Sequence, residues 1–166
     1  MKIDSVDLVY FSPTRTTARV VEAIAHGVGP AVARTIDLTP PDTGPRQPRE
    51  RPGQLAILGA PVYCGRIPPG SVGRFRQVSA PGTPAVVIVV YGNRDYGDAL
   101  RELHDLAGEI GFTTVAGGVF VGEHSFHRTD RPIAAGRPDA RDLMEAGRFG
   151  DLVREKLRGV GAVAEL

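Results

Sequence analysis

Val6-Asp7-Leu8-Val9-Tyr10-Phe11-Ser12-Pro13-Thr14-Arg15-Thr16-Thr17-Ala18-Arg19-Val20-Val21 changes its hydrophobic period midway. Val6 to Tyr10 reads as a strand. From Thr16 to Val28 the apolar residues Val20, Val21, Ile24 and Val28 fall on one face of a helix. Between strand and helix, Ser12, Thr14, Thr16 and Thr17 put four hydroxyls into six residues. Hydroxyls donate hydrogen bonds without needing a countercharge, and a helix start adds free backbone N–H groups. Its dipole favours an anion there by about 0.3–1 kcal/mol. Together these make a cradle for a phosphate. Ser and Thr are also ordinary N-caps, but hydroxyls at 12, 14, 16 and 17 exceed what capping needs.

Outward from this stretch, apolar strands and amphipathic helices keep alternating. Arg34 to Leu38 reads as a second strand and Leu55 to Gly59 as a third. The intervening residues 40–53 hold Pro40, Pro41, Pro45, Pro48 and Pro52 and read as a loop. A punctuated run, Ala60 to Gly70, leads to a short helix over Val72 to Val78. Ala85 to Tyr91 is continuously apolar, as expected of a central strand covered on both faces. Asp98 to Ile110 follows as a helix with Leu100, Leu103, Leu106 and Ile110 inward, then Thr113 to Val121 as the last strand. Gly122 to Pro138 is irregular, and Ala140 to Arg158 is a closing helix capped by Asp139. The alternation predicts one α/β domain over 1–166 with a parallel sheet and right-handed crossovers. A ligand then belongs beyond the C-terminal ends of the strands.

Three further segments meet that condition. Pro61, Val62, Tyr63, Cys64 and Gly65 follow the third strand, combining an aromatic with backbone freedom. Tyr91, Gly92, Asn93, Arg94 and Tyr96 follow the fourth, where two tyrosines and an amide can stack on a planar ring and bond its polar edge. His124 lies after the fifth, where it can donate to a bound ring or substrate near neutral pH. Glu123, His124 and His127 lack a distant further ligand, so no metal is expected. Cys64 is the sole cysteine, excluding an internal disulfide and an iron–sulfur cluster; with no neighbouring base it reads as a small lining residue.

These residues resemble the flavodoxin family, whose phosphate loop runs roughly Thr/Ser-x-Thr-Gly-x-Thr after the first strand. Ser12, Thr14 and Thr17 fall on its hydroxyl positions, and Arg15 stands at its glycine. Such an arginine either distorts the loop or places a guanidinium over the phosphate. Tyr91-Gly92-Asn93-Arg94-Asp95-Tyr96 and the runs Gly122 to His127 and Ile133 to Asp139 resemble a subgroup often joined to a ferredoxin module, whose cysteine run this chain lacks. The resemblance implies a flavodoxin-like five-stranded sheet in the order 2-1-3-4-5 and bound FMN. It implies Ser12, Thr14, Arg15, Thr16 and Thr17 around the phosphate. Tyr63, the Cys64–Gly65 peptide, Asn93 and Tyr96 would lie at the ring.

Hydrophobic residues make up 42% of the chain and charged residues 23%, with a formal net charge of +1. That balance gives no support to nucleic-acid binding, which needs an uncompensated basic face. No signal peptide is read at the N-terminus, and no run reaches the roughly 18 apolar residues of a membrane helix. A cytoplasmic location is expected. The leading expectation is an FMN-dependent redox protein, either a carrier between protein partners or a reductase using NAD(P)H and a small acceptor. Flavodoxins acting as carriers are typically acidic, and the balance here favours the reductase. The rival expectation is a non-redox interaction or regulatory module that has lost flavin binding; Arg15 is the feature that favours it. A hydrolase is unsupported, since no Gly-x-Ser-x-Gly elbow is present.

Overall fold

A computed structural model describes residues 1–41 and 52–160. Strand β1 (Ser5–Tyr10) leads into helix α1 (Thr16–Val28), followed by β2 (Val32–Asp37) and β3 (Gln54–Pro61). Helix α2 (Pro69–Phe75), β4 (Pro84–Tyr91), α3 (Ala99–Glu109), β5 (Thr113–Val121) and α4 (Ala140–Arg158) complete the order. All neighbouring strands run parallel, in the spatial order β2-β1-β3-β4-β5. The fold is therefore the expected α/β sandwich.

Composition places the strands. β3 and β4 are almost uninterrupted apolar runs and are buried along nearly their full length, as central parallel strands must be when helices cover both faces. One face of the sheet packs Val9, Leu58, Val87 and Val89 against Phe75 of α2 and Leu103 and Leu106 of α3. The other packs Leu8, Ile57, Val86 and Ile88 against Val20, Val21 and Ile24 of α1 and Val153 and Leu157 of α4. On that side α1 and α4 meet backbone to backbone. A Cβ on Gly27 would lie 1.8 Å from the Gly147 carbonyl oxygen, and one on Gly150 would lie 2.1 Å from that of Ile24. Only glycine permits this approach.

β1, β4 and α3 differ from the sequence reading by no more than a single residue at either end, and three elements differ by more. β2 begins at Val32, two residues early, because Val32 pairs with Val6 at the sheet edge even though its side chain stays exposed. β3 continues through Ala60 and Pro61, which pair with Val89 and Val90 of β4, so Pro61 is a buried strand residue rather than part of an open turn. α2 spans Pro69–Phe75 instead of Val72 to Val78. Proline at the first helical position pre-sets the backbone and starts the helix early, and it ends in a turn in which the Val78 N–H donates to the Phe75 carbonyl. Of the proline-rich loop, residues 42–51 lie outside the described residues.

Candidate functional site

The four connecting segments beyond the C-terminal strand ends converge on one rim. Between β1 and α1 the chain turns at Ser12, whose carbonyl accepts from the Arg15 N–H at 3.1 Å. The Ser12 hydroxyl points inward and accepts from the Ala18 N–H at 3.0 Å, doing the work of a cap. The Ser12 N–H donates in turn to the Thr39 hydroxyl at 2.8 Å, tying the turn to the end of β2. Arg15 is the residue before α1 and has φ 64°, ψ 0°, the left-handed region. Successive N–H groups around such a residue form an anion-binding concavity. Among the described residues no acceptor takes the amides of Thr14, Thr16 or Thr17. The Thr14 and Thr16 hydroxyls lie 3.2 Å apart at the surface.

Thr17 is fully buried, and its hydroxyl has no hydrogen-bond partner among the described residues. A buried hydroxyl without a partner costs about 1–3 kcal/mol. One turn thus carries a buried hydroxyl without a partner and three unclaimed amides. The Arg15 side chain reaches residues on three elements. Its guanidinium donates to the Tyr10 hydroxyl at 3.1 Å and to Glu22 at 3.2 Å, and lies 3.9 Å from Asp37. The backbone supplies what a glycine would, and the side chain is occupied elsewhere.

After β3, Tyr63 and Arg66 exchange two backbone hydrogen bonds of 2.8 and 3.1 Å around Cys64 (φ 52°) and Gly65 (φ 75°). Positive φ at both central residues marks a tight turn of the hairpin kind. Cys64 is exposed rather than packed, because a left-handed residue at a turn tip projects its side chain outward. Tyr63 is 40% exposed, while Val62 packs against the core. Arg66 pairs with Glu102 of α3 through two bonds of 3.0 Å, and Glu102 also accepts from the Ile67 N–H. The Arg66 guanidinium, opposed by partial burial, holds the Glu102 carboxyl below its usual range. A groove of about 460 Å³ runs beside this pair between α2 and α3; Arg66, Arg76 and Arg101 each face a carboxylate there, and Asp98 lines the same groove.

After β4, Tyr91 and Tyr96 stand edge to face, ring centres 5.6 Å apart. Asn93 has φ 57°, Arg94 is exposed, and Tyr96 is 42% exposed. This turn abuts the previous one: a Cβ on Gly97 would lie 2.6 Å from the Gly65 carbonyl oxygen. It abuts the segment after β5 as well, since a Cβ on Gly92 would lie 2.4 Å from the His124 ring. His124 Nδ1 accepts from the Phe126 N–H at 3.0 Å, which leaves the proton of the neutral ring on Nε2. The rim closes at Gly122, whose Cβ position is 3.7 Å from the Thr16 hydroxyl.

The structure thus joins residues from all four segments. Pro61 and Tyr91 stay in the strands beneath, and Arg94 points to the surface without a described partner. Among the described residues no group of three His, Cys, Asp or Glu could hold a metal. The Glu123 carboxylate accepts instead from the Gly136 N–H, and the His127 ring from the Ile133 N–H. Thr39, Asp37, Glu22 and Glu102 carry no signal in the sequence, since they reach the site only through the order of the strands and helices.

No family model matches the chain, and no curated protein matches it in sequence. Solved structures do. A flavodoxin from the Archaea superposes with a TM-score of 0.54 at 16% identity, over 93% of this chain and 99% of its own. The flavodoxin of Streptococcus pneumoniae TIGR4 gives 0.58 at 14%, over 92% and 99%. Rubredoxin oxygen:oxidoreductase from Desulfovibrio gigas gives 0.61 at 14%, over 95% of this chain but 37% of that larger protein. With the strand order, these likenesses establish that the chain has the flavodoxin fold.

Proposed function

We propose that the protein binds FMN non-covalently and serves in electron transfer. The observation that carries this reading is the buried, unpartnered Thr17 hydroxyl beside the unclaimed amides of Thr14, Thr16 and Thr17. A phosphate dianion satisfies all of them and gains from the start of α1. FMN would supply one- and two-electron chemistry at its ring. The chain's own part is to hold and tune. Ser12 and Thr39 fix the loop, and the exposed rings of Tyr63 and Tyr96 offer apolar surface on adjoining turns. The Cys64–Gly65 peptide and the Asn93 amide offer polar groups, and His124 Nε2 a proton donor. The rival reading, a module that has lost its flavin, drew on Arg15; the side chain's engagement with Tyr10, Glu22 and Asp37 weighs against it.

A formal charge of +1 favours a reductase drawing on NAD(P)H and passing electrons to a small acceptor over an acidic carrier that docks on basic proteins. Purified protein mixed with FMN and passed through a desalting column should stay yellow, with a perturbed flavin spectrum that bleaches anaerobically on NADH or NADPH. Colourless protein after the column would refute FMN binding. A yellow protein that ignores both nucleotides would point to a protein donor instead.

A further inference from the structure

The geometry points to Arg15 as a positioning residue for the phosphate loop, a side-chain clamp that holds a left-handed backbone without itself touching the anion. Arg15 has φ 64°, a conformation that L side chains resist because Cβ crowds the following carbonyl. Its backbone is committed on both sides: the N–H donates to the Ser12 carbonyl and the carbonyl accepts from the Arg19 N–H, each at 3.1 Å. Relaxing φ would break this turn and swing the amides of Thr14 and Thr16 out of register. Three elements oppose such relaxation through the guanidinium, namely Tyr10 at the end of β1, Glu22 on α1 and Asp37 at the end of β2.

The clamp closes a ring. Asp37 accepts from the Thr39 N–H at 2.8 Å, and the Thr39 hydroxyl accepts from the Ser12 N–H at 2.8 Å. Arg15, Asp37, Thr39 and Ser12 thereby form one closed chain of contacts at the turn. The guanidinium carbon is 5.8 Å from the centre of the Tyr10 ring, whose body is buried. This inference rests on the reading that the loop holds a phosphate, and the experiment separates the two.

FMN and riboflavin affinities are measured for wild type, Arg15→Ala, Arg15→Gly and the double variant Glu22→Gln/Asp37→Asn, with melting temperatures of the flavin-free proteins. Arg15→Ala should weaken FMN binding about tenfold and leave riboflavin unchanged, whereas Arg15→Gly should stay within about threefold of wild type for FMN. The double variant, which keeps the arginine, should fall between them. An Arg15→Gly loss as large as that of Arg15→Ala would overturn the proposal, since the guanidinium would then be on the phosphate. Parallel loss of riboflavin, or an Arg15→Ala protein equal to wild type, would overturn it too. Should wild type bind no FMN, the proposed function fails and the melts decide the clamp: Arg15→Ala below both wild type and Arg15→Gly sustains it, and equality with wild type refutes it.

Discussion

The Thr17 hydroxyl occupies an energetically costly place. Its methyl carbon lies against Gly59 of β3, 3.0 Å from where a Cβ would stand, so the residue is wedged between helix and sheet with its oxygen unpaired. Thr17→Val keeps the shape and removes the oxygen. The flavin-free variant should be more stable than wild type by about 1 kcal/mol, because an unsatisfied buried donor disappears, and should bind FMN about tenfold more weakly. Thermal melts and a fluorescence titration check both signs; a variant that loses stability and keeps its affinity would show the hydroxyl to be paired in solution. The turn that carries the hydroxyls was legible, because the change of hydrophobic period marks where β1 gives way to α1. The left-handed Arg15 was not, since intrinsic preference assigns that conformation to glycine or asparagine. Nor was the bond from Ser12 to Thr39, whose partners stand 27 residues apart and meet only because β2 lies beside β1.

At the scale of elements, the strongly patterned segments were legible to the residue: α1, β5 and α4 begin and end where the apolar period does. Boundaries governed by a partner strand or by a proline were not, as at β2, β3 and α2. The start of α4 shows how much local chemistry a helix can recruit. Asp139 accepts from the N–H groups of Arg141 and Asp142, Asp142 accepts from the Asp139 N–H, and Arg137 grips both Asp142 oxygens. The Arg137 guanidinium, with burial opposing, holds the Asp142 carboxyl below its ordinary value. A lowered folded pKa contributes stability above the unfolded value of about 3.9 and loses it as the pH falls through the lower folded value. Asp142→Asn should therefore cost about 1 kcal/mol at pH 7, with the gap to wild type closing below about pH 3.9. Urea unfolding across that range measures it, and a gap that persists unchanged in acid would separate the helix cap from the charge.

Across the whole molecule, the sheet order places four independent segments on one rim, and pairs of close contacts join them in sequence: Thr16 with Gly122, His124 with Gly92, Gly97 with Gly65. That the sheet is parallel followed from the alternation of strands and helices, whereas the order 2-1-3-4-5 came from the resemblance to flavodoxins. Contacts such as Arg66 with Glu102 did not follow, because they depend on how α3 lies over the turn after β3. No helix among the described residues is long and apolar enough to cross a membrane. The proposed FMN binding depends on recognition of the phosphate at the start of α1, and comparison of FMN with riboflavin isolates that one group. In a flavin-fluorescence titration, FMN should bind about 100-fold more tightly than riboflavin, ~2.7 kcal/mol, and Thr14→Ala/Thr17→Ala should erase most of the difference. Equal affinities for the two flavins in the wild-type protein would contradict it.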